Sequence, residues 1–255
     1  MGGLALPAVT LCAATSVNVA ATVRALQVCL DQVDFADCLL FTDASLDQLD
    51  PRIRVVEIDR LTSAEAYSQF ILRELPEFVR TSHCLIVQWD GFVLDPARWD
   101  EAFLDYDYLG ASWPQFGDAH DVGNGGFSLR SRKLLEACRD PRFRAAHPED
   151  LAICRLNRDL LEKEHGIRFA DRATADRFAF ERAAPRVPAF GFHGIFNLIP
   201  ALGGDRFWEL YRSLDDRRTA FLDYRTLMRQ LGSDRKANMR RLRLSLDRLA
   251  AWAGR

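Results

Sequence analysis

Long apolar runs, one-signed charge and paired cysteines are all missing from this chain of 255 residues. No stretch reaches the ~18 consecutive apolar residues of a membrane-spanning helix. Lys and Arg number 34 against 36 Asp and Glu, a formal net charge of −2, so there is no global field for gripping nucleic acid. The cysteines, Cys12, Cys29, Cys38, Cys84, Cys138 and Cys154, are scattered and form no CxxC pair. That argues against a metal or disulfide framework and reads better as reduced core thiols of a cytosolic protein. GxSxG and HExxH are absent, no GxGxxG follows the first strand, and no cysteine sits in an activated context. Histidine is scarce. His83, His120, His147 and His165 have no partner at ligand spacing and read as surface or loop residues. The N-terminal MGGLALPAVTLCAATSV lacks a basic leader and reads as a first strand rather than a signal peptide.

What is present is an ordinary globular balance, 48% hydrophobic and 27% charged. The length allows one large domain, or one with a small appendage. Val9–Thr15, Cys38–Thr42, Ile53–Ile58 and Cys84–Gln88 are short apolar runs that read as buried strands. Between them Val17–Gln32 and Ala64–Val79 carry helical spacing, with Ser63 as a cap and Pro76 as a disturbance. The first ninety residues thus read β-α-β-β-α-β, a mainly parallel sheet with both faces covered. Ligands of such sheets sit beyond the carboxyl ends of the strands, here Thr15-Ser16, Thr42-Asp43 and Asp90-Gly91. Further on, Trp99–Leu109 reads as an aromatic-rich helix, Ser131–Cys138 as a short helix capped by Ser131, and Leu151–Glu164 as a helix ending near Gly166. From Asp205 onward the pattern is helical and basic, with thirteen Lys and Arg against seven Asp and Glu.

Four segments carry chemistry. Gln88-Trp89-Asp90-Gly91 ends a buried strand, which aims a carboxylate at the ligand crevice. Asp90 there is either a turn-capping acid or a ligand for Mg²⁺ or Mn²⁺. Gly123-Asn124-Gly125-Gly126-Phe127 lets backbone approach a ligand closely, or simply turns into a strand. Pro148-Glu149-Asp150 opens a helix, where acids suit the dipole or one of them serves as general base. His193 stands in FGFHG, poorly placed as core filling, and suits a metal or a phosphate.

The ordered series QWDGFVLDP, YDYLGASWP, VGNGGFSLRS, PEDLAIC, FADRATADRFAFE and FGFHG resembles the bacterial DUF5672 family, proteins similar to GT-A-fold glycosyltransferases. The resemblance runs from about Thr10 to Leu202. It implies an α/β fold with a GT-A-like, Rossmann-like mixed sheet flanked by helices over residues 1–204, and a C-terminal helical extension over 205–255. Asp90 matches the last acid of the GT-A Asp-x-Asp motif, and Gln88 stands where its first acid would be. The resemblance implies Mn²⁺ or Mg²⁺ on Asp90 and His193. It implies a donor site at Thr15, Asp43, Gln88, Trp89 and Asp90, and a sugar and acceptor pocket at Asn124, Gly125, Gly126 and Phe127. Asp150 matches the base of inverting members; Glu149 beside it would perform the same chemistry. The implied activity is transfer from a UDP-, GDP- or TDP-sugar to a glycan or lipid-linked hydroxyl. A non-catalytic nucleotide-sugar or glycan-binding module is the alternative, favoured by Gln88, and a nucleotidyltransferase ranks last.

Arg235, Lys236, Arg240, Arg241, Arg243 and Arg248 interleave with Met239, Leu242, Leu246 and Leu249 near the C-terminus. The pattern fits a packing helix with a solvated basic face, or a helix lying on an anionic membrane surface. The second reading would make a cytoplasmic enzyme peripheral to the inner membrane.

Overall fold

The computed structural model describes residues 3–185, 187–232 and 234–253. β1 (Leu4–Ala14) begins ahead of the apolar run that announces it and includes Pro7. Its register against β2 (Val33–Thr42) shifts between Leu6 and Thr10. Proline brings no N–H to the ladder, so it falls at an irregularity. α1 (Val19–Leu30) joins these parallel strands and buries Ala21, Ala25, Leu26 and Cys29. β3 (Arg54–Glu57) adds to β2 in parallel at the sheet edge. α2 (Ala64–Arg73) follows, its first turn held by Ser63 Oγ, which accepts from Ala66 N–H at 3.2 Å. Pro76 falls in a 3₁₀ turn that closes the helix before β4 (His83–Val87).

β5 (Phe92–Val93), β6 (Tyr108–Leu109) and β7 (Phe127–Ser131) come next. The main sheet has the order β3-β2-β1-β4-β7-β6, with β7 antiparallel to both neighbours. α3 (Arg132–Ala137), α4 (Glu149–Leu151), α5 (Arg158–His165) and α6 (Arg172–Phe178) follow. β8 (Ala179–Phe180) and β9 (Gly191–Phe192) make a small second sheet with β5. α7 (Ile195–Leu202), α8 (Gly204–Ser213), α9 (Tyr224–Gln230) and α10 (Arg235–Ala253) complete the chain. This is a GT-A-like, Rossmann-like mixed sheet flanked by helices, with a C-terminal helical extension. Contacts divide it into two compact units, Met1–His193 and Gly194–Arg255. All six cysteines are buried and free. Among the described residues no helix is long and apolar enough to cross a membrane.

Three expectations are corrected. Trp99–Leu109 is not a helix: a 3₁₀ turn, Glu101–Asp105, leads into β6. The i, i+4 spacing of Trp99 and Phe103 serves a tertiary cluster instead. Trp99 meets Phe103 and Phe190 edge-on at 5.4 and 5.1 Å, and Phe103 meets Phe178 at 5.4 Å. Leu151–Glu164 is not one helix either. A π turn over Ala152–Leu156 separates α4 from α5. Buried Asn157 pins it, its side chain donating to Arg144 O and Ala152 O, each at 2.9 Å, and accepting from Arg144 N–H at 2.8 Å. Finally, His83 is a core residue of β4, facing Tyr106 O across 3.1 Å, and burial pulls its pKa down. His165 ends α5 and meets Asp140 Oδ2 at 2.8 Å, whereas His147 does lie in an exposed loop, where it meets Ser68 Oγ at 2.9 Å.

Candidate functional site

β1, β2 and β4 run parallel, so their carboxyl ends share one edge. Ala14 pairs with Phe41 and Cys12 with Ile86, which sets Thr15, Asp43 and Gln88–Asp90 side by side along it. The chain order reverses between β1 and β4, the position where open α/β sheets form a ligand crevice. Thr15 donates its N–H to Phe41 O at 2.9 Å and its hydroxyl to Val17 O. Asp43 faces Arg60 at 4.0 Å. Gln88 and Trp89 are half-buried and Asp90 is buried.

The glycine loop is fastened to β4, since Gln88 N–H donates to Gly126 O at 3.0 Å. Asn124 holds the left-handed conformation at φ 64° and its Oδ1 accepts from Gly126 N–H at 2.9 Å. Tyr108 donates its hydroxyl to Asn124 O at 3.1 Å, closing the loop from below. Phe127, the first residue of β7, is fully buried against Phe178 and Phe190. Two glycines here are required by close approach rather than by backbone angle. A Cβ on Gly126 would lie 2.1 Å from His193 Nε2, and one on Gly125 would lie 2.1 Å from Glu149 Oε1.

His193 follows β9, which places its ring against the end of β4. Its Nε2 lies 3.3 Å from Asp90 Oδ1 and 3.2 Å from Gln88 Oε1, and its Nδ1 lies 3.5 Å from Glu181 Oε1. Burial pulls the imidazolium down, but the carboxylates of Asp90 and Glu181 outweigh it and raise the pKa to about 10. The cation is therefore the resident form at neutral pH. Asp90 Oδ1 is buried and takes no well-directed hydrogen bond, and Asn124 Nδ2 is a buried donor with none. A buried donor left without a partner is costly, and Asn124 Nδ2 belongs to the loop that borders the Asp90–His193 pair.

The two acids of Pro148-Glu149-Asp150 part company. Glu149 is buried and accepts from Arg130 Nη2 at 2.9 Å, with Arg130 itself at 0% exposure and its guanidinium 5.3 Å over the Tyr108 ring. Asp150 is half-buried. Its Oδ2 accepts from Gly125 N–H at 3.1 Å and its Oδ1 from Leu151 N–H at 2.8 Å. Burial raises its pKa, and the negative charge of Glu149 adds to the rise. Among the described residues no three His, Cys, Asp or Glu side chains gather as a metal cluster.

Sequence reasoning missed Glu181 and Arg130. Glu181 ends the FADRATADRFAFE segment just after β8, and the position of an acid at a strand end was the available signal. Arg130 lies within a β7 whose five residues are all buried, so no alternation of faces marked it.

Over residues 50–193 the sequence matches the family described as "Protein of unknown function (DUF5672)". The chain belongs to the DUF5672 family. The DUF5672 match spans Gln88, Asp90, the glycine loop, Glu149, Asp150, Glu181 and His193, and leaves Thr15 and Asp43 outside. No curated protein matches the sequence. Solved structures match at low similarity. A mannosyltransferase from Pyrobaculum calidifontis, in complex with GDP-Man and Mn²⁺, is 14% identical with TM-score 0.38, covering 58% of this chain and 51% of its own. TarS of S. aureus, in complex with UDP-GlcNAc, is 14% identical with TM-score 0.38, covering 57% and 52%. A glycosyltransferase involved in glycosylation of the major capsid of PBCV-1 is 11% identical with TM-score 0.42, covering 81% of this chain and all of its own. The aligned part of this DUF5672 chain thus spans about half the length of the first two, at 51% and 52%.

Proposed function

We propose that this DUF5672 protein is an inverting, metal-dependent glycosyltransferase that moves a sugar from a UDP-, GDP- or TDP-sugar to a hydroxyl of a glycan or lipid-linked acceptor. One observation carries the reading. Adjacent residues Gly125 and Gly126 touch Asp150 on one side and the His193–Asp90 pair on the other. A candidate base, a candidate cation-binding pair and a pocket wall therefore share one loop.

The donor would lie along the carboxyl edge, with Thr15 and Asp43 near base and ribose and Gln88-Trp89 beside the diphosphate. Asp90 Oδ1 and His193 Nε2 suit a Mn²⁺ or Mg²⁺ ion: Asp90 Oδ1 is a buried acceptor that only the His193 ring approaches, off hydrogen-bond geometry, and their 3.3 Å separation is within the span of two ligands on one hard cation. Glu181 on the other ring nitrogen would orient the imidazole as outer carboxylates do for metal-bound histidines. When bound, the ion supplies positive charge to the diphosphate leaving group. Asn124 Nδ2, a buried donor lacking a protein partner, suits a sugar hydroxyl. Asp150 would take the proton of the attacking acceptor hydroxyl; its raised pKa makes it a stronger base than an ordinary aspartate. Glu149, paired with Arg130, would position that segment rather than accept a proton.

Calorimetry with UDP-, GDP- and TDP-sugars, with and without Mn²⁺, tests the donor site. Binding of one donor that Mn²⁺ strengthens is the expected result, and indifference to all three defeats the reading. Asp150→Asn should abolish transfer while leaving donor affinity intact. A binding module without catalysis is the second reading, favoured by Gln88 in place of an acid. Metal-independent sugar binding with no donor hydrolysis would select it.

A further inference from the structure

The C-terminal unit carries a feature that the transfer reaction does not use. Among the described residues, eleven large hydrophobic side chains stand exposed, and five of them lie on α10. Met239, Leu242, Leu246 and Leu249 are 52% to 67% exposed, and Trp252 is 79% exposed. At about 100° per residue the first four stack within one narrow stripe. The stripe lies opposite Ala237 and Leu244, the residues that α10 buries. It is thus an outward apolar face, not the rim of an inward one.

Beside the stripe is a cavity of about 700 Å³, lined by Trp208 and Arg212 of α8 and by Lys236, Met239, Arg240 and Arg243 of α10. Met239 belongs to both stripe and cavity. Two acids in the lining are each shared between two cations: Asp205 with Lys236 and Arg240, Asp247 with Arg217 and Arg243. Arg212 adds a further cation and Glu209 a third acid, so the lining stays positive. α10 itself has six cations and one acid, Asp247. A second copy of this helix would bring like charge to like, whereas an anionic lipid surface brings the complement. Trp252 adds the residue type that favours the membrane–water boundary.

We propose that α10 seats the C-terminal unit on an anionic phospholipid surface, with the Met239–Leu249 stripe among the acyl chains and lipid phosphates in the cationic groove beside it. The proposal stands on these side chains and is independent of the reaction assigned to the other unit.

The test is co-sedimentation of the full chain with vesicles. One set is phosphatidylcholine alone; the other contains about one-third phosphatidylglycerol. The protein should pellet with the second set and not the first, and raising NaCl to ~0.5 M should weaken it. Leu242→Glu with Leu246→Glu should cut binding about tenfold or more, while Leu242→Ala with Leu246→Ala should give an intermediate loss if the charged variant fails to fold. Arg212→Glu with Arg243→Glu should also cut it. Equal binding to both vesicle sets, no binding to either, or binding that survives both leucine variants overturns the proposal. So does sedimentation velocity showing a dimer that the leucine variants dissolve, because a second copy would then cover the stripe.

Discussion

Glu149 and Asp150 are sequence neighbours, and substituting them should produce opposite defects. Glu149 shares a 2.9 Å contact with Arg130, at side-chain exposures of 6% and 0%. At that distance and an effective dielectric near 20, the gross attraction is about 6 kcal/mol. Glu149→Gln removes the charge and leaves Arg130 buried without its counter-ion, since arginine does not deprotonate. Breaking a buried pair from one side costs about 3–5 kcal/mol, and the amide oxygen that remains as an acceptor puts the expectation at the lower end, about 3 kcal/mol. For a chain of this size that is a fall in Tm of about 6–12 °C. Asp150→Asn leaves the pair intact and should move Tm by less than about 2 °C. Differential scanning fluorimetry reads both. Replacing both partners, Arg130→Met with Glu149→Met, should recover much of the loss, because the penalty comes from the orphaned charge and not from the missing bond. If Glu149→Gln melts with the parent protein, the pair is not the anchor of this segment and the division of labour between the two acids fails.

Other outcomes follow from the same geometry. Gly126→Ala should displace the His193 ring, whose Nε2 would sit 2.1 Å from the new methyl. Calorimetry with UDP and Mn²⁺ should then show donor affinity falling about tenfold or more, with the melting temperature moving far less than in Glu149→Gln. The acid limb of kcat/KM should lie above the ordinary aspartate range, because burial and Glu149 hold Asp150 protonated to higher pH. Glu149→Gln should move that limb toward lower pH, and a limb that stays put contradicts the assignment. Divalent-metal binding should tighten by up to about tenfold per pH unit from pH 7 to 9, since the ion must displace a proton from an imidazolium whose pKa is about 10. Calorimetry in buffers of different ionisation enthalpy reports that proton directly. Without metal, the raised pKa makes His193 stabilising: the contribution is full below about pH 6.5 and is lost as pH rises through about 10. A denaturant midpoint that does not decline between pH 8 and 10 in metal-free buffer would count against it.

Much of the fold was legible because buried parallel strands advertise themselves. The CLIVQ run is β4 shifted by one residue, without His83 and with Gln88, and Ser63 and Ser131 cap the helices their positions announced. What misled was spacing with two causes. Trp99 and Phe103 repeat like a helix face but answer to a ring cluster supplied by Phe178 and Phe190, far along the chain. Asn157 read as an ordinary helical position, yet its amide links to Arg144 and opens a π turn. At the site, motifs nominated Asp90, the glycines, Asp150 and His193, but nothing local revealed that Glu149 turns inward to Arg130. That orientation depends on β7 meeting α4, a contact between segments about twenty residues apart.

The six buried thiols have a practical consequence. Burial drives Cys29 and Cys138 up to about 12 and leaves no surface thiolate to react at neutral pH. Alkylating reagents should therefore be silent on the native chain and modify it only when a segment opens. Cys12, Cys84 and Cys29 sit in or against the central strands, while Cys138 and Cys154 share a core cluster with Leu134, Ile153 and Leu161 of the helical segments. Mass-resolved labelling would thus time the loosening of each layer separately, with native residues serving as the clock.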